Sequence, residues 1–492
     1  MKRLLLFTPF LCFLISVVSC SNKKEKDTDL ITVQKSSNKP NIIYILADDL
    51  GYGDLSSYGQ EKFTTPNIDK LASEGLVFTQ HYAGNTVCAP SRSALLTGMH
   101  TGHTPVRGNK EIQPEGQYPI PADTYTMAEA LKKGGYVTGA FGKWGLGYPG
   151  SEGDPVYQGF DTFYGYNCQR LGHNYYPFHL WSNRDSIVLS GNKGHLKEQY
   201  APNLIQEKAI EFLEKNKDTT FFLYVPTIIP HAELVAPDSI MNKYKGKYLP
   251  ETKYEGVDGG PDYRLGFYES QDEPHAAFAA MIDVMDTQVG EIMKKVKELG
   301  IEDNTILVFA SDNGPHTEGG ADPDYFKSSG PFKGTKRDLY EGGIRVPMIV
   351  KWPGKIKAGT KTDLVSAFWD VFPTFSEIAE IPVPDNLDGI SFLPTLLNKP
   401  EEQKQHEYLY WEFHEKGGRQ AVRKGNWKAV KYNVLKHPNA PIELYDLSKD
   451  EGETNNIASK HPEIVKEMEL ILKEARTPSD VFTFSQSTFV AD

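Results

Sequence analysis

Four apolar runs that each end in polar residues constrain the fold of this 492-residue chain more than any other feature. The runs are rich in β-branched and aromatic residues, and they cover residues 41–47, 136–141, 220–225 and 305–310. Continuous runs of this kind are typical of strands buried on both faces. Helical patterns lie between them, with one apolar face over 204–213 and another over 278–296. Strands that alternate with helices predict an α/β fold whose large, mostly parallel sheet is flanked by helices.

Polar residues follow each of these four runs. They are Asp48-Asp49, Gly142-Lys143-Trp144, His231 and Asp312-Asn313. Because ligands bind beyond the carboxyl ends of parallel strands, we expect these clusters to converge on one site. The two acidic pairs supply hard oxygen ligands, which suit Ca²⁺ or Mg²⁺ better than Zn²⁺. Adjacent carboxylates repel each other without a cation between them, although each pair alone is also typical of a helix cap or a turn.

Residues 88–98, Cys-Ala-Pro-Ser-Arg-Ser-Ala-Leu-Leu-Thr-Gly, predict a short helix with a reactive start. Pro90 is expected at the first helical position, and Gly98 just past the last one. Cys88 would then lie at the positive end of the helix dipole, with Arg92 one turn further on. This environment suits an anion and a reactive group together. The alternative is a buried structural cysteine before a helix.

The length of the chain and a change in its hydrophobic pattern predict two domains. A single core stops growing at about 250–300 residues, and short alternating segments replace the long apolar runs after residue 399. We expect a catalytic domain over 40–399 and a smaller C-terminal α+β domain with an antiparallel sheet over 400–492. The formal net charge of −12, without a basic block, argues against nucleic acid as a partner.

The first residues of the chain predict export. A basic start and an apolar run over 4–18 fit a signal peptide over 1–19, because the run is too short for a membrane span. Val17-Val18-Ser19-Cys20 resembles a bacterial lipobox, so Cys20 is the expected lipidation site, with a plain secretory signal as the alternative. Residues 20–39 would form the tether of a periplasmic or surface lipoprotein that contacts the membrane only through its lipid.

Together, the motifs resemble those of the sulfatase family, within the alkaline-phosphatase-like superfamily. In chain order they are Asp48-Asp49, Cys88-x-Pro-Ser-Arg92, Gly142-Lys143-Trp144, Pro230-His231, Asp312-Asn313-Gly314 and Lys336. The resemblance covers nearly the whole of residues 40–399. It implies a formylglycine-dependent enzyme of the bacterial glycan sulfatase branch, which hydrolyses sulfate esters of oligosaccharides.

The resemblance also implies roles for these residues. Its catalytic set is Cys88, Arg92, Lys143, His231, Asp312 and Lys336. Its ligands for one Ca²⁺ per chain are Asp48, Asp49, Cys88, Asp312 and Asn313. A maturation enzyme would oxidise Cys88 to formylglycine, which Arg92 would anchor, and His231 would donate a proton to the leaving oxygen. The spacing to Tyr340-Glu341-Gly342-Gly343 favours Lys336 over Lys333 as the sulfate-binding lysine.

One departure from the family pattern concerns position 145. The family commonly has Gly-Lys-Trp-His-x-Gly, in which the histidine assists the second hydroxyl of the covalent residue, whereas this chain has Gly145. His103 is a candidate substitute. Candidate substrate-binding residues are His173, His179, His316, Trp411 and His414. A packed loop is the alternative for the aromatic stretch 172–181.

The expected substrate is a sulfated glycan, attacked from its end. The glycine variant over 142–147, together with residues 411–414, resembles bacterial sulfatases that act on O-4-sulfated galactose or N-acetylgalactosamine. One alternative is a phosphatase or phosphonate hydrolase of the same superfamily, although the extra histidine ligands of dinuclear zinc phosphatases are missing near Asp48 and Asp312. The other is a lipoprotein that binds sulfated glycans without turnover because Cys88 is never oxidised. The oligomeric state stays open.

Overall fold

A computed structural model describes residues 39–483 of the chain. The predicted signal peptide, nearly all of the tether and Cys20 lie outside these residues, so export and lipidation stay predictions. Between residues 39 and 483 no helix combines the length and the apolar content that crossing a membrane requires. All described residues belong to one compact unit, and the domain boundary at 399/400 stays a prediction.

The described chain alternates strands and helices, with short 3₁₀ turns between them. The strands are β1 Asn41–Ala47, β2 Leu76–Tyr82, β3 Glu111–Ile112, β4 Gly116–Gln117, β5 Val137–Lys143, β6 Thr162–Tyr166, β7 His179–Ser182, β8 Asp185–Val188, β9 Phe221–Pro226, β10 Thr305–Ser311, β11 Arg345–Lys351, β12 Thr360–Thr362, β13 Ser366–Ala367, β14 Leu409–Phe413, β15 Arg419–Lys424, β16 Trp427–Tyr432 and β17 Glu443–Asp446. The helices are α1 Pro66–Glu74, α2 Cys88–Thr97, α3 Met127–Lys133, α4 Ala201–Asn216, α5 Asp238–Met241, α6 Pro274–Glu298, α7 Pro323–Phe326, α8 Glu341–Ile344, α9 Val371–Ile378, α10 Leu393–Leu396 and α11 Pro462–Glu474.

Eleven strands form the main sheet, in the order β12-β2-β11-β10-β1-β9-β5-β6-β7-β8, with β13 also paired to β2. The centre of the sheet, from β10 to β6, is parallel. The hairpin β7–β8 and the strands β11 and β2 add antiparallel pairs on either side. The predicted α/β class is therefore confirmed, and the sheet is mixed with a parallel centre. The four predicted runs are β1, β5, β9 and β10, which lie side by side within it.

Both faces of this sheet are covered by helices. Along β1, Ile43 and Ile45 face the cluster that contains α4 and α6, whereas Tyr44 and Leu46 face the cluster that contains α3 and α9. This alternation explains the nearly unbroken apolar sequence of the central strands, because neither face of the strand meets water.

A second, antiparallel sheet has the order β14-β15-β16-β17, as the C-terminal sequence predicts. One face of this small sheet packs on α11 through residues such as Val422 and Leu472. The other face packs on the main body, where Trp411 lies in one cluster with Tyr82 and Trp369. The small sheet therefore lies between α11 and the elements that bear the predicted site.

Candidate active site

Three neighbouring parallel strands deliver the acidic pairs and His231 to one edge of the main sheet. β1 and β10 run in register, with Ala47 opposite Ser311, so that their carboxyl ends coincide. The amide of Asp312 donates to the carbonyl of Ala47 over 3.0 Å, and the amide of Asp48 donates to Ile229 over 3.1 Å in the segment after β9. The predicted convergence of the polar clusters is thus a direct result of strand order.

Cys88 is the first residue of α2, which begins two residues before the position that Pro90 predicts. Gly98 caps the end of the helix with φ +67°, as expected. The thiol is buried and donates to Asp48 Oδ1 over 3.3 Å, while Lys143 Nζ lies 3.5 Å from the sulfur. Burial, with the charge of Asp48, raises the pKa of the Cys88 thiol well above its ordinary value. The unmodified thiol is therefore protonated and a poor nucleophile.

Each buried carboxylate of the site contacts a cation. The pairs are Lys143 Nζ with Asp48 Oδ2 at 2.6 Å, Lys336 Nζ with Asp49 Oδ2 at 2.7 Å, and Arg92 Nη2 with Asp312 Oδ2 at 2.8 Å. Burial alone would raise the pKa of Asp48, but the charges of Lys143 and Arg92 outweigh burial and lower it. Burial and the neighbouring charge of Asp48 raise the pKa of Asp312. The carboxylates thus compete for a limited positive charge.

The oxygen atoms of these residues fit a hard cation. Asn313 Nδ2 donates to Asp49 Oδ1 over 2.7 Å, which turns Asn313 Oδ1 away from that carboxylate. Asn313 Oδ1 is buried and has no hydrogen-bond partner among the described residues. An unpaired buried carbonyl oxygen is costly, and a cation would satisfy it. Asp49 adopts φ +63°, a strained conformation of the kind that collects at functional sites.

His231 lies in a stack of three histidines beside these carboxylates. Its ring centroid is 4.8 Å from that of His173 and 5.4 Å from that of His316. Because the carbonyl of Ala232 can only accept, the 2.5 Å contact assigns the proton to Nδ1 of His231. Nε2 then accepts from Lys336 Nζ over 2.9 Å. Burial and the charge of Lys336 lower the pKa of His231 well below its ordinary value, so the ring is neutral.

The structure places Lys336, rather than Lys333, among the site residues. Lys336 is buried and contacts Asp49 and His231. Lys333 lies over the ring of Tyr340, 3.8 Å from its centroid, and 41% of its side chain is exposed. The spacing argument for Lys336 therefore agrees with the geometry.

The candidate substrate residues divide into two groups. His173 and His316 flank His231. His179 lies elsewhere, where it and Trp181 bond Glu115 at 2.9 and 2.7 Å. Trp411 and His414 have no exposed surface. Trp411 donates to the carbonyl of Ala83 over 2.9 Å, and His414 contacts Glu412 at 3.0 Å. Their burial argues against the predicted contact of these two side chains with a sugar.

Gln169 fills the space beside Gly145. A Cβ atom on Gly145, which has φ +77°, would lie 1.7 Å from Gln169 Nε2. The ring of His103, the candidate substitute for the family histidine, stacks on His100, and its Nδ1 contacts Asp388 at 2.9 Å. No contact between His103 and Cys88 is seen among the described residues, so the proposed substitution by His103 stays a prediction.

Sequence reasoning missed two further residues that shape the site. Ser91 Oγ donates to the carbonyl of Asp312 over 2.6 Å and so joins α2 to the end of β10. Glu318 lies 3.4 Å from His316 Nδ1 and pairs with Arg337. Ser91 belongs to the Cys-x-Pro-Ser-Arg motif, so the motif could have indicated it. No local sequence pattern indicates Glu318.

Comparison with known proteins shows which family this chain resembles. The Sulfatase family profile matches residues 40–381, and the profile described as N-sulphoglucosamine sulphohydrolase, C-terminal, matches residues 332–478. The N-acetylgalactosamine-6-O-sulfatase of Bacteroides thetaiotaomicron is 31% identical over 97% of this chain and 100% of its own length. Human arylsulfatase A is 32% identical over 91% of this chain and 90% of its own.

A solved structure shares both the fold and the extent of the chain. The crystal structure of Ps i-CgsB in complex with k-i-k-neocarrahexaose superposes with a TM-score of 0.72 at 28% identity. The match covers 89% of this chain and 93% of that one. The similarity therefore includes the C-terminal region as well as the main sheet.

Proposed function

The chain belongs to the sulfatase family and is a sulfuric ester hydrolase, and we propose that it removes sulfate from the ends of sulfated glycans with a formylglycine at position 88 and one Ca²⁺. The observation that carries the proposal is the position of Cys88 Sγ between Asp48 Oδ1 and Lys143 Nζ, where three buried carboxylates and three cations meet. A structural cysteine requires no such surroundings.

Two groups would complete this site. Oxidation of Cys88 would supply an aldehyde whose hydrate is a nucleophile, and a divalent cation would supply positive charge to that hydroxyl and to the sulfate oxygens. Asp48, Asp49, Asp312 and the unpaired Oδ1 of Asn313 would hold the cation together with residue 88. The three aspartates and Asn313 would bind the cation through oxygen atoms, and such ligands favour Ca²⁺ over Zn²⁺.

The remaining chemistry comes from the side chains of this chain. Lys143 and Lys336 place ammonium groups at the carboxylates, where they would oppose the charge that develops on the sulfuryl oxygens. Arg92 holds Asp312 through two nitrogens at 2.8 and 3.2 Å and also donates to the carbonyl of Lys143 over 2.6 Å. Arg92 therefore fixes the relative positions of α2, β5 and β10. The family resemblance assigns activation of the nucleophile to Asp312, whereas the carboxylate that contacts Cys88 Sγ is that of Asp48.

The proton for the departing sugar oxygen would come from the pair formed by His231 and Lys336. His231 Nε2 accepts from Lys336 Nζ over 2.9 Å, so one transferable proton lies between the two atoms. The predicted role of His231 as proton donor thus depends on Lys336, because the neutral ring bears its own proton on Nδ1. A sugar alkoxide is a poor leaving group, and general acids typically contribute about 10²–10⁴-fold to its departure.

Similarity to glycan-active relatives supports the substrate class. The Bacteroides relative is named for N-acetylgalactosamine and its 6-O-sulfate, and Ps i-CgsB binds a neocarrahexaose. We propose sulfated galactose or N-acetylgalactosamine at a chain end as the substrate, with O-4-sulfate as the first position to test and O-6-sulfate as its competitor. His173 and His316 both flank His231, and we expect the partly exposed His173 to contact the sugar, because His316 is buried as Trp411 and His414 are.

The test uses the mature full-length protein and defined monosulfated sugars. The peptide that contains residue 88 should have the mass of formylglycine, in which an aldehyde replaces the CH₂–SH group. Sulfate release from a galactose or N-acetylgalactosamine 4-sulfate or 6-sulfate would establish the sugar and its position. Turnover of a phosphonate or phosphate ester in preference to every sulfate ester would favour the phosphatase alternative. An unmodified thiol, with binding but no turnover, would favour the glycan-binding alternative.

We further propose that the chain is exported and bound to the bacterial envelope by a lipid on Cys20. The support is the lipobox pattern and the polar tether that follows it. Expression of the wild type and of Cys20→Ser in a bacterium tests this proposal. The wild type should pellet with membranes, whereas the variant should remain in the soluble fraction of the envelope.

A further inference from the structure

The loop that bears Lys336 lies between the main sheet and the small sheet. We define the lysine loop as residues 333–343. The amide of Lys336 donates to the carbonyl of Pro315 over 2.8 Å, and its Nζ contacts Asp49 and His231. The residues that follow Lys336 in the loop contact the small sheet instead. The loop thus connects the candidate site to the C-terminal part of the chain.

The residue after Lys336 has a strained backbone. Arg337 adopts φ +76°, a region that non-glycine residues rarely occupy. Hydrogen bonds hold this residue on both sides: its amide donates to the carbonyl of Thr86 over 3.1 Å, and its carbonyl accepts from the guanidinium of Arg419 on β15. A strained conformation persists only where the surroundings fix it, so Arg419 is one of the groups that maintain it.

The same small sheet holds the next residues of the lysine loop. Arg419 Nη1 donates to Asp338 Oδ1 over 2.7 Å. The hydroxyl of Tyr432 on β16 accepts from the amide of Leu339 over 3.3 Å, and its ring stacks on Tyr340 at a centroid distance of 5.2 Å. These contacts are made by adjacent strands, so β15 and β16 together present a rigid surface to the loop.

We propose that Arg419 is a positioning residue for Lys336, and that the small sheet serves catalysis by fixing the lysine loop. This inference rests on the proposed function of Lys336 at the sulfate. Arg419 touches neither a carboxylate of the site nor His231 in the described structure. It acts through the backbone of Arg337, whose relaxation would move Lys336 Nζ away from Asp49 and His231.

The expected kinetic effect is a loss of turnover with little change in substrate affinity. Lys336 would oppose charge that develops in the transition state, so displacement of its ammonium should lower kcat and kcat/KM together. We expect Arg419→Ala to lower kcat about tenfold and Arg419→Lys to restore part of it. The matched control is Lys424→Ala, which removes a cation from the same strand as Arg419. Lys424 Nζ bonds Glu467 at 2.7 Å and does not contact the lysine loop.

A double-mutant cycle tests whether Arg419 acts through Lys336. Arg419→Ala, Lys336→Ala and the double variant are compared for hydrolysis of the preferred sulfated sugar. If Arg419 only positions Lys336, Arg419→Ala should have no further effect once Lys336 is alanine. Losses that multiply in the double variant would overturn the proposal, as would equal losses from Arg419→Ala and the Lys424→Ala control.

A second measurement does not depend on catalysis. Amide hydrogen exchange of the peptide that covers the lysine loop should be faster in Arg419→Ala than in the wild type and in Lys424→Ala. Unchanged exchange would overturn the proposal, even in an active enzyme. If the wild type hydrolyses no sulfate ester, the proposed function fails. Faster exchange in Arg419→Ala would then still show that Arg419 holds the lysine loop. The catalytic role of Arg419 would be overturned together with the proposed function.

Discussion

Two buried acidic centres in this molecule differ in how their oxygens are paired. At the candidate site, three aspartates meet at the ends of β1 and β10, and the nearby Asn313 Oδ1 has no partner among the described residues. At the second centre, Glu412 on β14 is equally buried. Its Oε1 contacts Arg107 at 3.1 Å and His414 at 3.0 Å, and its Oε2 contacts Tyr410 at 2.8 Å and Arg476 at 2.7 Å.

The comparison distinguishes a carboxylate with a structural role, that of Glu412, from the carboxylates of the candidate site. A carboxylate offers about four acceptor positions, and fixed donors from four different residues use those of Glu412. The donors come from the loop before β3, from β14 and the residue that follows it, and from the segment after α11, so Glu412 joins parts of the chain far apart in sequence. At the candidate site, two of the three cations are lysines, whose side chains are flexible. The carboxylate oxygens of the three aspartates therefore outnumber the donors of the one rigid cation, Arg92. Burial alone therefore does not identify a catalytic carboxylate. What distinguishes the site is the amide oxygen of Asn313, which is buried beside three aspartates and has no hydrogen-bond partner among the described residues.

Replacement of Cys88 should produce the largest loss of activity and the smallest loss of stability. Cys88→Ala removes one sulfur from the start of α2, and it leaves every ion pair of the site in place. We expect turnover to fall below detection while the free energy of unfolding in urea changes little compared with that of a core cavity. Sulfate release from a defined sugar and urea titration measure the two effects. Activity within a few-fold of the wild type would contradict a covalent mechanism at residue 88.

Metal removal should affect the site and spare the Glu412 centre. A chelator should inactivate the enzyme, and Ca²⁺ should restore it, because the site supplies hard oxygen ligands. Elemental analysis should find one Ca²⁺ per chain. Asp312→Ala should be the most harmful ligand substitution, since it also releases Arg92 from its 2.8 Å contact. Restoration by Zn²⁺ alone would show that the argument from oxygen ligands is wrong.

Loss of His231 should depend on the leaving group. We expect His231→Ala to slow hydrolysis of sulfated sugars by about 10²–10⁴-fold, the usual range for a general acid. An aryl sulfate with a nitrophenolate leaving group needs little protonation and should lose much less. Equal losses on both substrates would assign His231 to sulfate binding and leave Lys336 Nζ, at 2.9 Å from His231 Nε2, as the proton donor.

The central strands and the motifs at their ends were predictable from the sequence. Strands buried on both faces leave continuous apolar runs, and β1, β9 and β10 fall within one residue of the predicted limits. The small sheet was predictable from alternating segments, because one of its faces packs on α11 and the other on the main body. Once these strands are parallel and adjacent, the convergence of their polar ends follows from topology.

Contacts between distant loops were not predictable from local patterns. Trp411 and His414 have the residue types of a sugar-binding surface, yet both are buried. A histidine that bonds Glu412 and one that contacts a sugar have the same sequence signature, and only the three-dimensional partner distinguishes them. The place of Gln169 beside Gly145 likewise results from the path of the segment after β6, which shows no periodicity that a strand or helix would impose.

Changes to Glu412 should weaken the fold rather than the chemistry. Glu412→Ala leaves Arg107 and Arg476 without their carboxylate, and removal of one member of a buried ion pair costs about 3–5 kcal/mol. Burial would raise the pKa of Glu412, but His414 and the two arginines outweigh it and lower the pKa to about 2. Its stabilising contribution should therefore be complete above the unfolded pKa near 4.5 and vanish as the pH falls through about 2.

Urea titrations of the wild type and of Glu412→Gln across this pH window test the assignment. The wild type should lose more unfolding free energy than the variant as the pH falls, because the amide does not titrate. The rate per folded molecule at neutral pH should stay far closer to the wild type than that of Cys88→Ala. Identical pH dependence of the unfolding free energy in both proteins would show that the Glu412 carboxylate does not stabilise the fold.

The smallest effect concerns the residue that fills the place beside Gly145. A histidine at position 145 would bring its Cβ within 1.7 Å of Gln169 Nε2, and overpacking of this kind typically costs about 1–3 kcal/mol. Gly145→His should therefore lower the free energy of unfolding, and addition of Gln169→Ala should recover part of it, so the two changes are not additive. Gly150→His is the matched control, since Gly150 has a similar φ of +80° but no atom within 4 Å of its added Cβ. It isolates the cost of a left-handed histidine from the cost of the clash. Equal losses from the two glycine substitutions, with no recovery in the double variant, would show that Gln169 does not occupy this space.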